Sequence, residues 1–321
     1  MIRDALAVEA IGLVKTFGTV RAVDGIDLVV PRGKVLGVLG PNGAGKTTML
    51  KMLATLLPID AGCARVFGVD VAADPHRVRE LIGVTGQYAS VDENLTGYEN
   101  LVLFGRLLGL SRAHARRKAA ELLASFGLED AGGQQIKQYS GGMRRRLDLA
   151  ASLISQPPLL FLDEPTTGLD PRTRGQMWDT IRRLVRDGAT VLLTTQYLDE
   201  ADQLADHIAV IDRGKKVAEG TPDELKSSVG SSTLHIRLEA CADTARACEL
   251  VARVVGEPPV LTPEAGGLNI ALADANRAAD VLIALREASF RITTASVRRP
   301  TLDEVFLALT GHHSESAAEV Q

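Results

Sequence analysis

Gly40-Pro41-Asn42-Gly43-Ala44-Gly45-Lys46-Thr47-Thr48 decides how the rest of this chain reads. The apolar run Val35–Leu39 before it reads as a buried strand, and Met49–Leu57 after it as a helix. A strand, a glycine-rich loop, then Lys-Thr opening a helix is the context that a phosphate-binding loop requires. Gly40, Gly43 and Gly45 lack a Cβ, so the backbone can turn sharply and bring its N–H groups close to phosphate oxygens. The helix N-terminus adds free N–H groups and the positive end of its dipole. Pro41, Asn42, Ala44 and Thr48 complete the cradle, Lys46 is placed to reach the β- and γ-phosphates, and the Thr47 hydroxyl to ligate Mg²⁺.

Composition sets the frame around that loop. The chain has 321 residues, enough for two domains, and is 45% hydrophobic and 24% charged, so a sizeable core can be buried. Its net charge of -4 gives no support to a nucleic-acid partner. Cys63, Cys241 and Cys248 are too far apart for a C-x-x-C site and read as reduced, partly buried thiols. Met1–Ala10 carries acids and no long apolar core, so it does not read as a signal peptide. No window approaches 18 consecutive apolar residues, so any membrane role is expected to come through a partner chain.

Outward from the loop, 7–14 and 20–30 read as strands of a β-rich start, with Phe17 between them. After the loop helix, 64–67 and 82–85 read as strands, the second ending at Gly86-Gln87. The spacing of Leu101, Val102, Phe104 and Leu108 predicts a helix over 96–108, and a second follows over 112–126, so a helical block interrupts the αβ rhythm. Arg116, Arg117 and Lys118 read as a solvated helix face. Ser140-Gly141-Gly142 opens a further helix that Pro157-Pro158 stops. Strands at 159–162 and 190–195, a helix over 172–186 and a hairpin around Arg213-Gly214 complete this part. Ser227–Ser232 has linker composition, and the residues after it read in the order βαββαβ of a split-βαβ, ferredoxin-like module with a last helix after Pro300. The expected domains are 1–228 and 229–310, with 311–321 a flexible polar tail.

Two further stretches say which kind of nucleotide binder this is. Leu159-Leu160-Phe161-Leu162 delivers Asp163 to the C-terminal end of a strand, where ligands bind in a parallel sheet. Asp163 is expected to hold Mg²⁺, and the adjacent Glu164 to polarise the attacking water. Ser140-Gly141-Gly142 is a second anion-binding helix start, so one chain carries two.

This combination resembles the nucleotide-binding subunit of the ATP-binding-cassette (ABC) transporter family over Ala7 to about Ser228. The resemblance implies a P-loop NTPase fold of α/β class, with a RecA-like core, a β-subdomain and a helical subdomain, and two copies paired head to tail. ATP would lie between the phosphate loop of one copy and the Ser140-Gly141-Gly142 helix of the other. It also implies roles: Phe17 stacking on the base, Gln87 sensing the γ-phosphate and Mg²⁺, Asp170 in the turn after Gly168-Leu169, and the helical block near Tyr98–Leu108 touching an integral membrane permease subunit. The chain would then sit peripherally on the cytoplasmic face of the cell membrane. One departure stands out: where the family usually has a His facing the γ-phosphate, this chain has Gln196, which can donate a hydrogen bond but cannot take up a proton near neutral pH. Because Glu164 remains, with Lys46 to offset developing charge and Gln87 as a sensor, slow hydrolysis is still expected. The stretch Thr194–Asp202 and the run Pro300–Gly311 look like the daunorubicin-resistance branch of drug-efflux ATP-binding subunits, which implies export of hydrophobic drugs, antibiotics or lipids. The alternatives are an ABC-type ATPase not coupled to transport and a nucleotide-binding module with weak hydrolysis.

Overall fold

The computed structural model describes residues 6–86, 91–229, 232–240, 243–261, 266–272, 276–298 and 300–310. They form two compact units, one running to Pro222 and one beginning at Asp223. The first contains β1 (Leu6–Phe17), β2 (Val20–Pro31), β3 (Val35–Leu39), α1 (Lys46–Leu53), β4 (Ala61–Val66), β5 (Val69–Asp70), α2 (Pro75–Leu81), β6 (Ile82–Thr85), α3 (Gly97–Leu107), α4 (Arg112–Ser125), α5 (Gly141–Ser152), β7 (Leu159–Asp163), α6 (Pro171–Arg186), β8 (Thr190–Thr195), α7 (Leu198–Leu204), β9 (His207–Asp212) and β10 (Lys215–Gly220).

A run of apolar residues with no alternation suits a strand covered on both faces. All residues of β3, β7 and β8 are buried. They lie inside a six-stranded sheet of order β10-β9-β3-β8-β7-β6, parallel except for the hairpin strand β10. Parallel pairing brings the C-terminal ends of these strands to one edge. There Leu39 stands opposite Thr195, and Asp163 opposite Thr194, so the phosphate loop, the acidic pair and the end of β8 meet although far apart in sequence. The antiparallel sheet β2-β1-β4-β5 packs its inner side chains, among them Val8, Leu13, Ile26 and Leu28, against α1 and this sheet. Met49, Leu50, Met52 and Leu53 of α1 are buried in that core, each stabilising the fold by about 1.5–3 kcal/mol.

The helical block forms as its spacing predicts. Thr96 caps α3 in a reciprocal box with Glu99, and the buried Asn100 side chain bonds the backbone of Asp92 and Thr96. Leu101, Leu122, Leu123 and Phe126 form a second core with Leu147 and Ile154 and with the other face of the parallel sheet. The helix opened by Ser140 ends at Ser152, well before Pro157-Pro158, so the prolines do not stop it. Arg116 and Arg117 are exposed, as expected of a solvated face, but Cys63 is exposed rather than partly buried.

The second unit has α8 (Pro222–Val229), β11 (Ser232–Leu238), α9 (Thr244–Val255), β12 (Val260–Leu261), β13 (Gly267–Leu272), α10 (Arg277–Glu287), β14 (Ile292–Arg298) and α11 (Leu302–Thr310). Its antiparallel sheet of order β12-β13-β11-β14 is the split-βαβ arrangement. Leu234, Ile236, Leu268 and Ile270 alternate onto one face and pack with Ala247, Val251, Val281 and Leu285 of α9 and α10. Ser227 and Ser228, expected in a linker, are instead helical: their hydroxyls donate to the carbonyls of Asp223 and Leu225 in α8. Residues 311–321 lie outside the described residues.

Candidate active site

The phosphate loop has little room for alternatives. Gly45 has φ 105°, and a Cβ there would lie 2.2 Å from the Ala22 carbonyl oxygen. At Gly40 it would lie 2.1 Å from that of Ile211. The loop is therefore held between the start of β2 and the end of β9, a fit only glycine allows at these two positions. Its backbone is tied down as well: Gly40 N–H donates to Thr195 O (3.3 Å), Ala44 N–H to Pro41 O (3.2 Å), and Gly214 N–H to Ala44 O (2.9 Å).

Asn42, Gly43, Ala44, Gly45, Lys46, Thr47 and Thr48 line a cavity of about 140 Å³ together with Ala22 and Glu164. Lys46 is 4% exposed. Its Nζ donates to Gly40 O (2.8 Å) and Pro41 O (3.0 Å) and stands 3.5 Å from Glu164 Oε1. Burial draws the Lys46 pKa below its usual value, and the carboxylates of Glu164 and Asp163 oppose that shift. Thr47 Oγ1 donates to Asp163 Oδ1 (2.9 Å), which also accepts from Thr194 Oγ1 (2.5 Å). Asp163 and Glu164 are both buried, 3% and 6% exposed. Glu164 is in the left-handed region, φ 49°, rare for a residue with a side chain. Its N–H donates to Thr194 O (3.0 Å), and its Oε2 accepts from Thr167 Oγ1 (3.3 Å). An ammonium, a hydroxyl and two carboxylates thus converge on one cradle with a helix N-terminus beside it. That arrangement can bind a polyphosphate, seat a hard cation on oxygen ligands and present a base.

The remaining expected residues fall around this centre. Gln196 is half-buried immediately after β8, next to the loop because Thr195 pairs with Leu39. Phe17 ends β1 with its ring 49% exposed and Lys15 Nζ 5.7 Å from the ring centroid. Asp170 caps α6, accepting from the N–H (3.0 Å) and hydroxyl (2.6 Å) of Thr173, which hold its carboxyl below the usual carboxylate range. Ser140 caps α5 through Met143 N–H (3.3 Å) and is exposed, with Gly141 exposed beside it. Ser140, Gly141 and Gly142 are not among the residues lining the cradle; a Cβ on Gly142 would meet Thr173 Cγ2, so this helix start sits against the start of α6. Gln87 lies outside the described residues. His207 opens β9 opposite Leu36, at the far end of the sheet from the loop, and stands 3.9 Å from Glu219. It does not substitute for the side chain at position 196.

Sequence reasoning missed Thr194 and Arg145. Thr194 belongs to a β-branched strand whose pattern reads only as core, yet its hydroxyl reaches Asp163. Arg145 sits in the Arg-Arg-Arg run after Ser140-Gly141-Gly142, and its guanidinium turns inward to the backbone that carries Glu164. Three arginines in a row on a helix must point three ways, which was the available signal.

Residues 23–167 match the family model of the ABC transporter, and residues 220–310 that of the ATP-binding protein DrrA1-3-like, C-terminal domain. The daunorubicin/doxorubicin resistance ATP-binding protein DrrA of Streptomyces peucetius is 56% identical over 318 residues, covering 98% of this chain and 96% of that protein. The doxorubicin resistance ATP-binding protein DrrA of Mycobacterium tuberculosis is 45% identical over 321 residues, covering 98% and 97%. Among solved structures, a dimeric post-hydrolysis state of an ATP-binding cassette bound to ADP and phosphate superposes with a TM-score of 0.62 at 25% identity, over 67% of this chain and 98% of that one.

Proposed function

The chain belongs to the ABC-transporter family as a DrrA-like ATP-binding and ATP-hydrolysing subunit, and we propose that it drives outward transport of hydrophobic drugs, antibiotics or lipids through a separate membrane permease subunit. The observation that carries the catalytic part is the convergence of Lys46, Thr47, Asp163 and Glu164 at the phosphate loop. The direction and substrate class rest on the full-length likeness to drug-resistance proteins. Residues 1–228 would form the ATP-binding domain, and 229–310 an accessory domain.

In this reading the N–H groups of Gly40–Thr48 and the N-terminus of α1 bind the phosphates, with Phe17 stacking on the base. Lys46 moves its donors from the loop carbonyls to the β- and γ-phosphate oxygens and offsets the charge that develops there. Thr47 and Asp163, an all-oxygen pair already in contact, fit a hard divalent cation and would hold Mg²⁺ with Gln87. Bound there, Mg²⁺ would neutralise phosphate charge. Glu164 accepts a proton from the attacking water, and the amide of Gln196 donates a hydrogen bond toward the γ-phosphate without titrating. Ser140, Gly141 and Gly142, exposed and outside the cradle, would close the site of a second copy, so that ATP joins two chains as a homodimer.

Among the described residues no helix is long and apolar enough to cross a membrane. Attachment to the cytoplasmic face would therefore come through the permease, and the exposed Leu103 and Leu107 of α3, with Leu108 after it, offer that subunit an apolar face. The deciding measurement is ATP turnover by the purified chain with Mg²⁺, with EDTA, and in Glu164→Gln. Turnover should vanish with EDTA and fall about 10²–10⁴-fold in the variant, with ATP binding kept. Equal rates in wild type and variant would overturn the role of Glu164.

A further inference from the structure

The guanidinium of Arg145 is the meeting point of three segments that belong to different parts of the site. Its Nη1 donates to Gly86 O (2.5 Å), the residue before Gln87. Its Nη2 donates to Asp163 O (3.0 Å) and Glu164 O (2.7 Å), and its Nε to Pro165 O (3.0 Å). Four carbonyls are thus gathered by one side chain, three of them 18 to 20 residues away in sequence and the fourth 59. A planar fork with five donors can do this; a lysine ammonium, with three donors on one atom, cannot reach carbonyls spread over so wide an arc. Glu164 is one of six non-glycine residues in the left-handed region among those described, and a turn of that kind persists only where its surroundings over-determine it. Arg145 holds the carbonyls on both sides of that turn.

The helix that carries Arg145 also carries Ser140 at its start, less than two turns away. An α-helix is stiff over that distance, so a shift or rotation of the Ser140 end displaces the guanidinium and, through it, the backbone of Glu164. We propose that Arg145 is a positioning residue that couples the Ser140–Gly142 end of α5 to Glu164 and the residue preceding Gln87. Nucleotide engaged at the helix start, in the site shared with a second copy, then sets the carboxylate of the same chain's own phosphate-loop site. The inference rests on the ATPase reading above. It adds to that reading a path between the two sites that runs through one side chain.

The test is steady-state ATP turnover by wild type, Arg145→Lys and Arg145→Ala, with nucleotide binding measured separately in a Glu164→Gln background. Arg145→Lys should lower kcat about 10- to 100-fold with KM for ATP within about threefold, because the carboxylate is misplaced while the phosphate grip is intact. In the Glu164→Gln background, adding Arg145→Lys should leave ATP affinity unchanged. Arg145→Ala leaves a space lined by four carbonyls, and low millimolar guanidinium should restore part of its turnover. Guanidinium is otherwise a denaturant, so a variant that had merely lost stability would lose activity further. Unchanged kcat in Arg145→Lys, or a loss of ATP affinity that matches the loss of kcat, would overturn the proposal. A wild-type chain without turnover would overturn the ATPase reading instead, which keeps the two failures distinct.

Discussion

Glu200 in α7 is fully buried, and its Oε1 accepts from Thr166 Oγ1 (2.8 Å) and Trp178 Nε1 (3.4 Å). Burial pushes the carboxyl above its usual value of 4.5, against the hydrogen bonds of Thr195, Thr166 and Trp178 and the charge of Arg174, which oppose the shift. The consequence for stability has a definite sign. Between pH 4.5 and the raised native value the folded chain binds the proton more tightly than the unfolded chain, so this group's contribution is full below that range and is lost as pH rises through it. Glu200→Gln keeps an oxygen to accept from Thr166 and Trp178 and cannot ionise. Melting temperatures of variant and wild type should therefore diverge in favour of the variant as pH rises from about 5 to 8. A constant difference across that range would count against the assignment.

At the scale of elements, α3 depends on its start. Thr96 and Glu99 bond each other's backbone N–H groups, and Asn100 fastens the same turn to Asp92. Thr96→Ala should cost about 1 kcal/mol and lower the melting temperature by about 2–4 °C, measured by circular dichroism. Most elements were legible because their signals are local: uninterrupted apolar runs for β3 and β7, helical spacing for α3, the Arg213-Gly214 turn for the hairpin of β9 and β10. α8 was not, since Ser-Ser next to Val-Gly is equally good linker composition, and only the back-bonding of those hydroxyls distinguishes a helix. The phosphate loop and the acidic pair were legible for the same local reason. The bonds of Thr194 to Asp163 and of Arg145 to Gly86 were not, because they span segments whose adjacency is set by strand order rather than by spacing.

At the scale of the whole molecule, the separation of Ser140–Gly142 from the cradle makes a prediction about assembly. Lys46→Ala should abolish turnover by removing the phosphate grip, and Ser140→Ala by spoiling the surface offered to the other copy. Mixed and re-paired, the two inactive variants form some dimers in which an intact phosphate loop faces an intact Ser140. Turnover should reappear at no more than about a quarter of the wild-type rate, and below it to the extent that Glu164 of the intact loop depends on its own chain's Ser140 end. Mixtures as inactive as their parents, with Arg145→Lys also without effect on kcat, would argue that each chain completes its own site.

The bonds that fasten the phosphate loop to β8 and to the turn after β9 carry a consequence for how a catalytic cycle would spend its time. Gly40 is already bonded to Thr195, and Ala44 to Gly214. A mould set in advance gives up little conformational entropy when it is filled, so the first encounter with nucleotide should be fast. The ordering that remains is translational and belongs to the docking of one chain on another. Turnover per chain should then grow with the concentration of the chains themselves, and any partner that holds two of them side by side would raise it by tethering alone.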